Sequence, residues 1–543
     1  MAWSSRALVT WLAPAASSLL LFAAFLPGPF AWAGFVWAVP LALWAMSEPD
    51  ARAWRKATGW ASLLTWVALL AWLRHVHPPL GWLGWGLLSG YCALYLWTWL
   101  LALRRILPWC ARRGLPDRLL ALAGLSALWV LLEALRGWAL TGFGWLPLAA
   151  SQAGNPVMLA LCEVAGPLGL SGALILANLA LARWIRRQFV EARPAGGQAP
   201  SFLGGFTPEL YLGLAPVLAA FWLHLSHLAE SAAEEAAGRG SVLRVGVVQT
   251  DVDPYRKWDP SSANRLTAEL FALSTSLDLG GTDLILWPEA AAPYPLSDPA
   301  YAGFLAAVAR ASNATLVIGA VDARDGGYAN SIAAIGEEGP LGAPYDKRRL
   351  VPFGEYVPLA DILPLRKLVP IPEDCVPGES ARLLAVPDAA GRPVLLGPLV
   401  CYEDIFPSLA RDHALAGAQA LVVLTNDAWY GRELGAWQHA THSVLLAAAT
   451  RLPVARCGNA GWSGWIEPSG RAFPALREGS VYFRGATHLG ERRLPAADRP
   501  TTHWTSVGDG PLLLPSALLV VLLAMRRRRH PLGETPATRG DAS

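Results

Sequence analysis

The stretch GPLVCYEDIFP, Gly397 to Pro407, sets a single cysteine at the end of an apolar run with an acidic pair just beyond it. A structural cysteine needs only the apolar run. A nucleophile needs more: a turn that presents it, a base, and a cation or dipole for the developing negative charge. VLLGPLVC (Val394–Cys401) reads as a buried strand, so Cys401 falls at its carboxyl end with Glu403 two residues on. Four more runs read the same way: VLRVGVVQT (Val242–Thr250), DLILW (Asp283–Trp287), TLVIGAV (Thr315–Val321) and ALVVLTND (Ala420–Asp427). Between them SANRLTAELFALSTSL (Ser262–Leu277) and PAYAGFLAAVARAS (Pro299–Ser312) read as amphipathic helices. This alternation predicts an α/β layered domain over residues 241–500, with its site at the strand carboxyl ends.

Two other motifs occupy comparable positions. In LILWPEAAAPYP, Glu289 lies just past a strand; in YDKRRLVPFGEYVPL, Lys347 precedes Glu355 by eight residues. A carboxylate, an amine and a thiol at strand ends of one domain can converge. Glu289 would then take the thiol proton, Lys347 would hold the thiolate and the oxyanion, and a backbone N–H after Cys401 would assist. The expected product is a thioester that a second nucleophile opens.

The rest of the chain has another texture. Of 543 residues, 54% are hydrophobic, 16% are charged and 26 are tryptophan, a balance explained by long uncharged runs. Seven candidate spans precede residue 230, near 8–27, 30–46, 58–74, 80–103, 118–136, 160–182 and 209–228. An eighth, near 507–525, runs into Arg526–Arg529 and His530. The first reads as a retained span, not a cleaved signal. Lys and Arg cluster after spans two (Arg52, Arg55, Lys56), four (Arg104, Arg105, Arg112, Arg113, Arg118) and six (Arg183, Arg186, Arg187, Arg193). The other loops carry little beyond Arg74 and Arg136. Both termini are therefore expected in the cytoplasm and the α/β segment outside it. The expected organisation is a seven-span bundle (1–230), a catalytic domain (241–500), a last transmembrane helix (505–530) and a disordered cytoplasmic tail (531–543). EARPAGGQAP (Glu191–Pro200) and AESAAEEAAGRGS (Ala229–Ser241) read as linkers. A net charge of +3 without a basic stripe gives no sign of nucleic-acid binding. The six cysteines form no CxxC and no pairing with His, so neither a zinc site nor a disulfide framework is expected.

WPEAA (Trp287–Ala291), YDKRRLVPFGEYVP (Tyr345–Pro358) and CYED (Cys401–Asp404) resemble the Glu–Lys–Cys motifs of the nitrilase, or carbon–nitrogen hydrolase, superfamily. With the spans, LRGWALTGFGW (Leu135–Trp145), VGVVQTDVDPYRKWD (Val245–Asp259) and NDAWYGRELGAWQHA (Asn426–Ala440) resemble the bacterial apolipoprotein N-acyltransferases. The resemblance implies an αββα sandwich on an eight-helix membrane bundle, in the bacterial inner membrane with the catalytic domain in the periplasm. It implies Cys401 as nucleophile, Glu289 as general base and Lys347 as oxyanion-stabilising lysine. Glu355, Tyr402 and Glu403 match supporting residues, and Trp258 matches a tryptophan of the KWD loop. The implied reaction is ping-pong without a cofactor or metal. A phospholipid acylates Cys401, and the α-amine of a diacylated lipoprotein takes the acyl group. A monomer is expected.

Other residues were weighed against this picture. Asn426 and Asp427 end a strand near the expected site, and Trp429 is a candidate wall of the acyl pocket. Tyr356–Pro372 is apolar and Pro-punctuated; a core loop shares that composition, but a lid dipping into the outer leaflet is expected. Its Arg366 and Lys367 read as a solvated pair, with lipid phosphates the alternative. Glu133 should face the bundle interior or pair with Arg136. His439 reads as a helix-surface histidine, and Cys375 and Cys457 as free thiols. One departure stands out: where relatives carry an Arg and a Glu after WQHA, this chain has Leu446 and Ala448. That favours one alternative, a divergent membrane-bound amidase or acyltransferase with another acceptor; a second, a non-catalytic receptor or transporter, is opposed by the intact Glu289, Lys347 and Cys401 set.

Overall fold

The structure, a computed structural model, describes residues 5–76, 80–191, 207–238, 240–277, 281–360, 362, 364–367, 369 and 373–529. The amino-terminal part is helical: α1 (Ser5–Ala24), α2 (Val39–Met46), α3 (Ala51–Leu69), α4 (Leu80–Ala111), α5 (Leu115–Trp138), α6 (Pro156–Leu159), α7 (Cys162–Arg186) and α8 (Pro208–Ala236). Among the described residues, five helices are long and apolar enough to cross a membrane: α4, α5, α7 with its continuation to Glu191, α8, and a last helix over Gly510–Arg529. The expected span at 30–46 is instead a 3-10 turn, Ala31–Phe35, followed by the short α2. Pro27-Gly28-Pro29 stops α1 before it, because proline removes an N–H and crowds the preceding turn. The expected span at 58–74 starts earlier, at Ala51, where Asp50 caps two backbone N–H groups at 2.9 Å. It ends at Leu69, ahead of a 3-10 turn over Ala71–His75.

Ala229–Ser241 is mostly not a linker. α8 continues through it to Ala236, since Ala and Glu favour helix. Most of Glu191–Pro200, and the tail 531–543, lie outside the described residues. Glu133 is buried and accepts from Leu148 N at 2.7 Å, while Arg136 donates to Trp145 O and Leu146 O. The two side chains thus serve the same loop, and the loop mediates between them.

The α/β part follows as β1 (Val242–Gln249), α9 (Pro260–Thr275), β2 (Leu284–Leu286), α10 (Pro299–Ser312), β3 (Thr315–Arg324), β4 (Gly327–Gly336), β5 (Gly339–Pro340), β6 (Tyr345–Asp346), β7 (Leu384–Pro387), β8 (Pro393–Val400), α11 (Pro407–Leu415), β9 (Ala420–Thr425), α12 (Leu434–Thr450), β10 (Val454–Gly458), β11 (Gly464–Ile466), β12 (Ala472–Pro474) and β13 (Gly485–Arg493). A short α13 (His503–Val507) leads into α14 (Gly510–Arg529), which packs on α5. One sheet runs β13-β1-β2-β3-β4-β5, with β6 also on β4; the other runs β12-β11-β10-β9-β8-β7. Each has a parallel centre, β1-β2-β3 and β8-β9-β10, and antiparallel edges. Val245, Leu284 and Val317 of the first sheet meet Leu396, Val422 and Ala455 of the second in one core. α9 and α10 cover the outer face of the first sheet. The result is an αββα sandwich, as expected.

The second sheet's outer layer decides several outcomes. α11 and α12 lie between that sheet and the helical bundle, in one continuous apolar cluster with α2, α4, α5 and α7. α12 is buried along nearly its whole length. His439 is therefore not a surface histidine; it is fully buried. Leu446 and Ala448 sit in this core as well, so the expected charged pair has no solvent to face. All six cysteines are free. Burying an unpaired guanidinium costs several kcal/mol. Leu446→Arg is accordingly expected to lower stability by about 3 kcal/mol or more, read as a loss of thermal midpoint in detergent. An unchanged midpoint would mean that this helix face is not enclosed.

Candidate active site

The site assembles at the carboxyl ends of the parallel strands, where backbone N–H and C=O groups leave the ladders. Glu289 follows β2, and Ala290 after it takes a left-handed φ of +44°. Ala291 N donates to Gly319 O of the neighbouring strand at 2.8 Å. Gly319 permits this approach: a Cβ there would lie 2.5 Å from Glu289 Cα. Lys347 follows β6, its N–H held by Asn330 O at 2.8 Å. Cys401 follows β8 with φ +48°, opening a 3-10 turn over Cys401–Ile405. Such an elbow aims a side chain off the sheet edge at a cost in backbone strain.

The three expected groups converge. Lys347 Nζ is 2.7 Å from Glu355 Oε1 and 3.6 Å from Glu289 Oε1. Asn330 Nδ2 bridges the two carboxylates at 2.8 Å and 3.0 Å. Glu355 is fixed further by Val351 N, which donates to its Oε2 at 2.8 Å. Cys401 is 7% exposed and within electrostatic range of both Glu289 and Lys347. Burial, then the Glu289 carboxylate, pushes the thiol pKa well up, against the pull of Lys347. Burial alone would lower the Lys347 pKa; Glu355, Glu289 and Cys401 outweigh it and hold it raised. At rest, then, the site holds a neutral thiol and a firmly charged ammonium.

A second lysine joins them. Lys257, buried in the 3-10 turn Arg256–Trp258, donates from Nζ to Glu289 O at 2.8 Å. Burial brings its pKa down to about 8, opposed by Glu289 and Cys401. Trp258, the residue singled out in that loop, stands half exposed at 49%. The sequence signal was one position away, in YRKWD, and was passed over for the aromatic. Asn330 was missed too; a polar residue inside β4 was its only mark.

The residues after Cys401 are struts. Tyr402 donates its hydroxyl to Gly142 O at 2.9 Å, tying the elbow to the bundle loop. Glu403 is buried and accepts from Tyr345 Oη, Arg348 N, Arg349 N and Val400 N at 2.7–3.1 Å. It locks the Lys347 loop to the elbow. Asp404, which follows, meets His439 Nε2 at 2.8 Å and Arg456 at 2.5 Å. Asp427 meets His439 Nδ1 at 2.8 Å and Arg456 at 3.4 Å. Asn426 is buried and accepts from Asn459 Nδ2 at 2.9 Å. Trp429 is half-buried, edge-on to Tyr255 at 5.3 Å between centroids. In the Tyr356–Pro372 segment, Leu359 and Ile362 are exposed at 61% and 78%; Arg366 and Lys367 are exposed too, as expected, and Arg366 also pairs with Asp374. Among the described residues no three His, Cys, Asp or Glu side chains are arranged to hold a metal.

The bundle reaches the same region. Trp72 Nε1 and Trp145 Nε1 both donate to Gln438 Oε1, at 3.0 Å and 2.9 Å, and Gln438 Nε2 donates to Leu69 O at 3.0 Å. Trp145 stacks on His439 with centroids 5.4 Å apart.

Two outcomes follow from this geometry. Gly319→Ala must push Glu289 aside; a misplacement of about 1 Å can cost about 100-fold, so a loss of that order in turnover is expected with β-sheet content retained. Full activity would place Glu289 outside the chemistry. Lys257 has a folded-state pKa near 8 and an ordinary value of 10.5. Between those values the unfolded chain binds more protons, so the burial cost, fully present below pH 8, is relieved as pH rises. Wild type should gain thermal stability relative to Lys257→Met across that window; a pH-independent difference would contradict the assignment.

Comparison with known proteins agrees with this architecture. The carbon–nitrogen hydrolase family matches residues 244–487, and the apolipoprotein N-acyltransferase N-terminal domain matches residues 17–180. An apolipoprotein N-acyltransferase of Geobacter metallireducens is 32% identical over 92% of both chains. That of Allorhizobium ampelinum is 33% identical over 67% of both. Among solved structures, an amidase from Nesterenkonia sp. overlays 48% of this chain and 94% of its own at 21% identity, with a TM-score of 0.33. With its membrane helices joined to a nitrilase-like sandwich, the chain belongs to the apolipoprotein N-acyltransferases, bacterial membrane enzymes with a carbon–nitrogen hydrolase domain.

Proposed function

We propose that Cys401 carries an acyl group from a phospholipid to the α-amine of a diacylated lipoprotein. The observation that carries this reading is the Lys347 ammonium held between Glu355 and Glu289 beside a cysteine on a left-handed elbow. As the ester carbonyl arrives, Glu289 takes the thiol proton and the sulfur lone pair forms the S–C bond. Lys347 Nζ and the Tyr402 N–H face the oxyanion. The C–O bond breaks, and the alkoxide of the lysophospholipid recovers the proton from Glu289. The lipoprotein amine then attacks the thioester, Glu289 accepts its proton, and the thiol is regenerated. Glu355 and Asn330 hold Lys347 and Glu289 in register and take no proton.

Sidedness follows from charge. Arg118 pairs with Glu209 at 2.6 Å, Arg526 with Asp117 at 2.7 Å, and Arg104 donates to Pro49 O at 2.7 Å. These residues gather the ends of α3, α4, α5, α8 and α14 that carry the Lys/Arg excess, and the positive-inside rule assigns that end to the cytoplasm. The opposite end contacts the α/β domain through Trp72, Arg74 and Trp145, which supports a periplasmic catalytic domain and cytoplasmic termini. Exposed Leu359 and Ile362 support a membrane-dipping lid. Nothing in the reaction requires a second copy, and the working unit is a monomer.

The test is transfer itself. The full chain in detergent, given phospholipid and a diacylated lipopeptide, should raise the lipopeptide mass by one acyl group and release one lysophospholipid. Cys401→Ser should abolish both products, and Lys347→Met should slow them about 100-fold or more. Transfer that persists in Cys401→Ser would overturn the proposal.

A further inference from the structure

Beyond the three groups that the family motifs mark, the end of β9 presents a fourth. β8 and β9 are parallel, with Val400 opposite Leu424, so the next residues, Cys401 and Thr425, leave the sheet side by side. Thr425 is fully buried and has no access to water. Its Oγ1 donates to Asp427 Oδ1 at 2.9 Å, and the same hydroxyl lies near enough to the Cys401 sulfur to favour its anionic form. A hydroxyl has a single proton. It cannot serve a carboxylate and a thiolate at once.

We propose that Thr425 is a catalytic hydrogen-bond donor that changes partners, from Asp427 in the resting enzyme to the Cys401 sulfur when that sulfur becomes anionic. In the resting state the thiol is neutral and asks for no donor. When Glu289 removes its proton, the thiolate does, and rotation about the Thr425 side chain turns the O–H toward it. No proton passes through Thr425: it goes from sulfur to Glu289, and the hydroxyl keeps its own.

What makes the exchange cheap is the cluster behind Asp427. That carboxylate keeps His439 Nδ1 at 2.8 Å and Arg456 at 3.4 Å after the hydroxyl leaves. Burial would lower the His439 pKa, but Asp404, then Asp427, hold it raised against the Arg456 guanidinium, whose Nη2 lies 2.8 Å from His439 Nδ1. Asp404 and Asp427 thus share two partners, the His439 ring and the Arg456 guanidinium, which hold both carboxylates in place while the hydroxyl turns. Ser443 Oγ and the stacked Trp145 ring complete the enclosure. Asp404, Asp427, His439 and Arg456 are positioning residues; Thr425 is the group that would meet the sulfur.

The proposal rests on Cys401 as the nucleophile, and the test reads that sulfur without depending on the acyl donor. Purified full-length protein is treated with iodoacetamide across a pH series, and alkylation of Cys401 is followed by peptide mass spectrometry. The charged and titratable groups facing the sulfur are Glu289, Lys347, Lys257, Asp427, Arg456 and Tyr430. All are left in place. Thr425→Val should move the alkylation midpoint to higher pH and slow phospholipid-dependent acylation of Cys401 by about 10- to 100-fold. Thr425→Ser, which keeps the hydroxyl, should restore both. Thr425→Ala, which adds no bulk, serves if the valine variant does not fold. Wild-type midpoints and rates in a folded Val or Ala variant would overturn the proposal. Failure of both to fold would assign the hydroxyl to the fold and not to the sulfur, and would overturn it equally. If alkylation shifts as expected but no phospholipid acylates wild type, the donor assignment falls and the role of Thr425 stands.

Discussion

A buried ammonium between two carboxylates is the constraint on which this structure turns. Lys347 is fully enclosed, and an uncompensated charge there would be untenable. Glu355 meets it closely; Glu289 stands farther off and keeps an oxygen free for chemistry. That asymmetry is what the proposed roles require, Glu355 holding the lysine and Glu289 reacting. It also explains why four stretches distant in sequence must end at one place. β2 delivers Glu289, β6 delivers Lys347, β4 delivers the Asn330 bridge and β8 delivers Cys401. Removing one partner of such a buried pair costs about 3–5 kcal/mol, so site and fold are stabilised by the same contacts.

The second constraint is that α12 has no free face. On one side it packs on the sheet that carries Cys401; on the other it meets the membrane bundle. Gln438 is satisfied entirely by Trp72, Trp145 and the Leu69 carbonyl, so it acts as a plug between the two parts. The next residue, His439, sits under the nucleophile's elbow through Asp404. Tyr402 adds a second tie, to Gly142. The catalytic elbow is therefore braced by the bundle as well as by its own domain. A soluble sandwich with the same three groups would lack those braces, which fits an enzyme whose substrates reside in a bilayer.

Much of this was legible in the chain. Apolar runs bounded by turns located β1, β2, β3, β8 and β9, and α10 was placed to the residue. Glu289 and Cys401 were legible because each follows a buried run; Lys347, after the two-residue β6, was legible only through its motif. The strands β4–β7 and β10–β13 were less visible: β5–β7, β11 and β12 are short, β13 is half exposed, and the buried β4 and β10 carry Asn330, Ser331 and Arg456 inside their runs. Lys257 was hidden by its neighbour, since local sequence does not say which side of a turn faces inward. His439 was misread for a related reason. Helical periodicity assumes one wet face, and α12 has none; only the tertiary arrangement reveals that. The same enclosure accounts for Leu446 and Ala448, which look like lost charges in sequence and are core residues in space.

The account's central claim is that Glu289 makes the Cys401 sulfur nucleophilic toward a phospholipid ester. Intact-protein mass spectrometry in a single turnover, with phospholipid alone and no acceptor, tests it most directly. Wild type should gain the mass of one fatty acyl group, mapped to Cys401, while Glu289→Gln gains it about 100-fold more slowly or not at all. An adduct on another residue, or one that forms equally fast without the Glu289 carboxylate, would contradict the account.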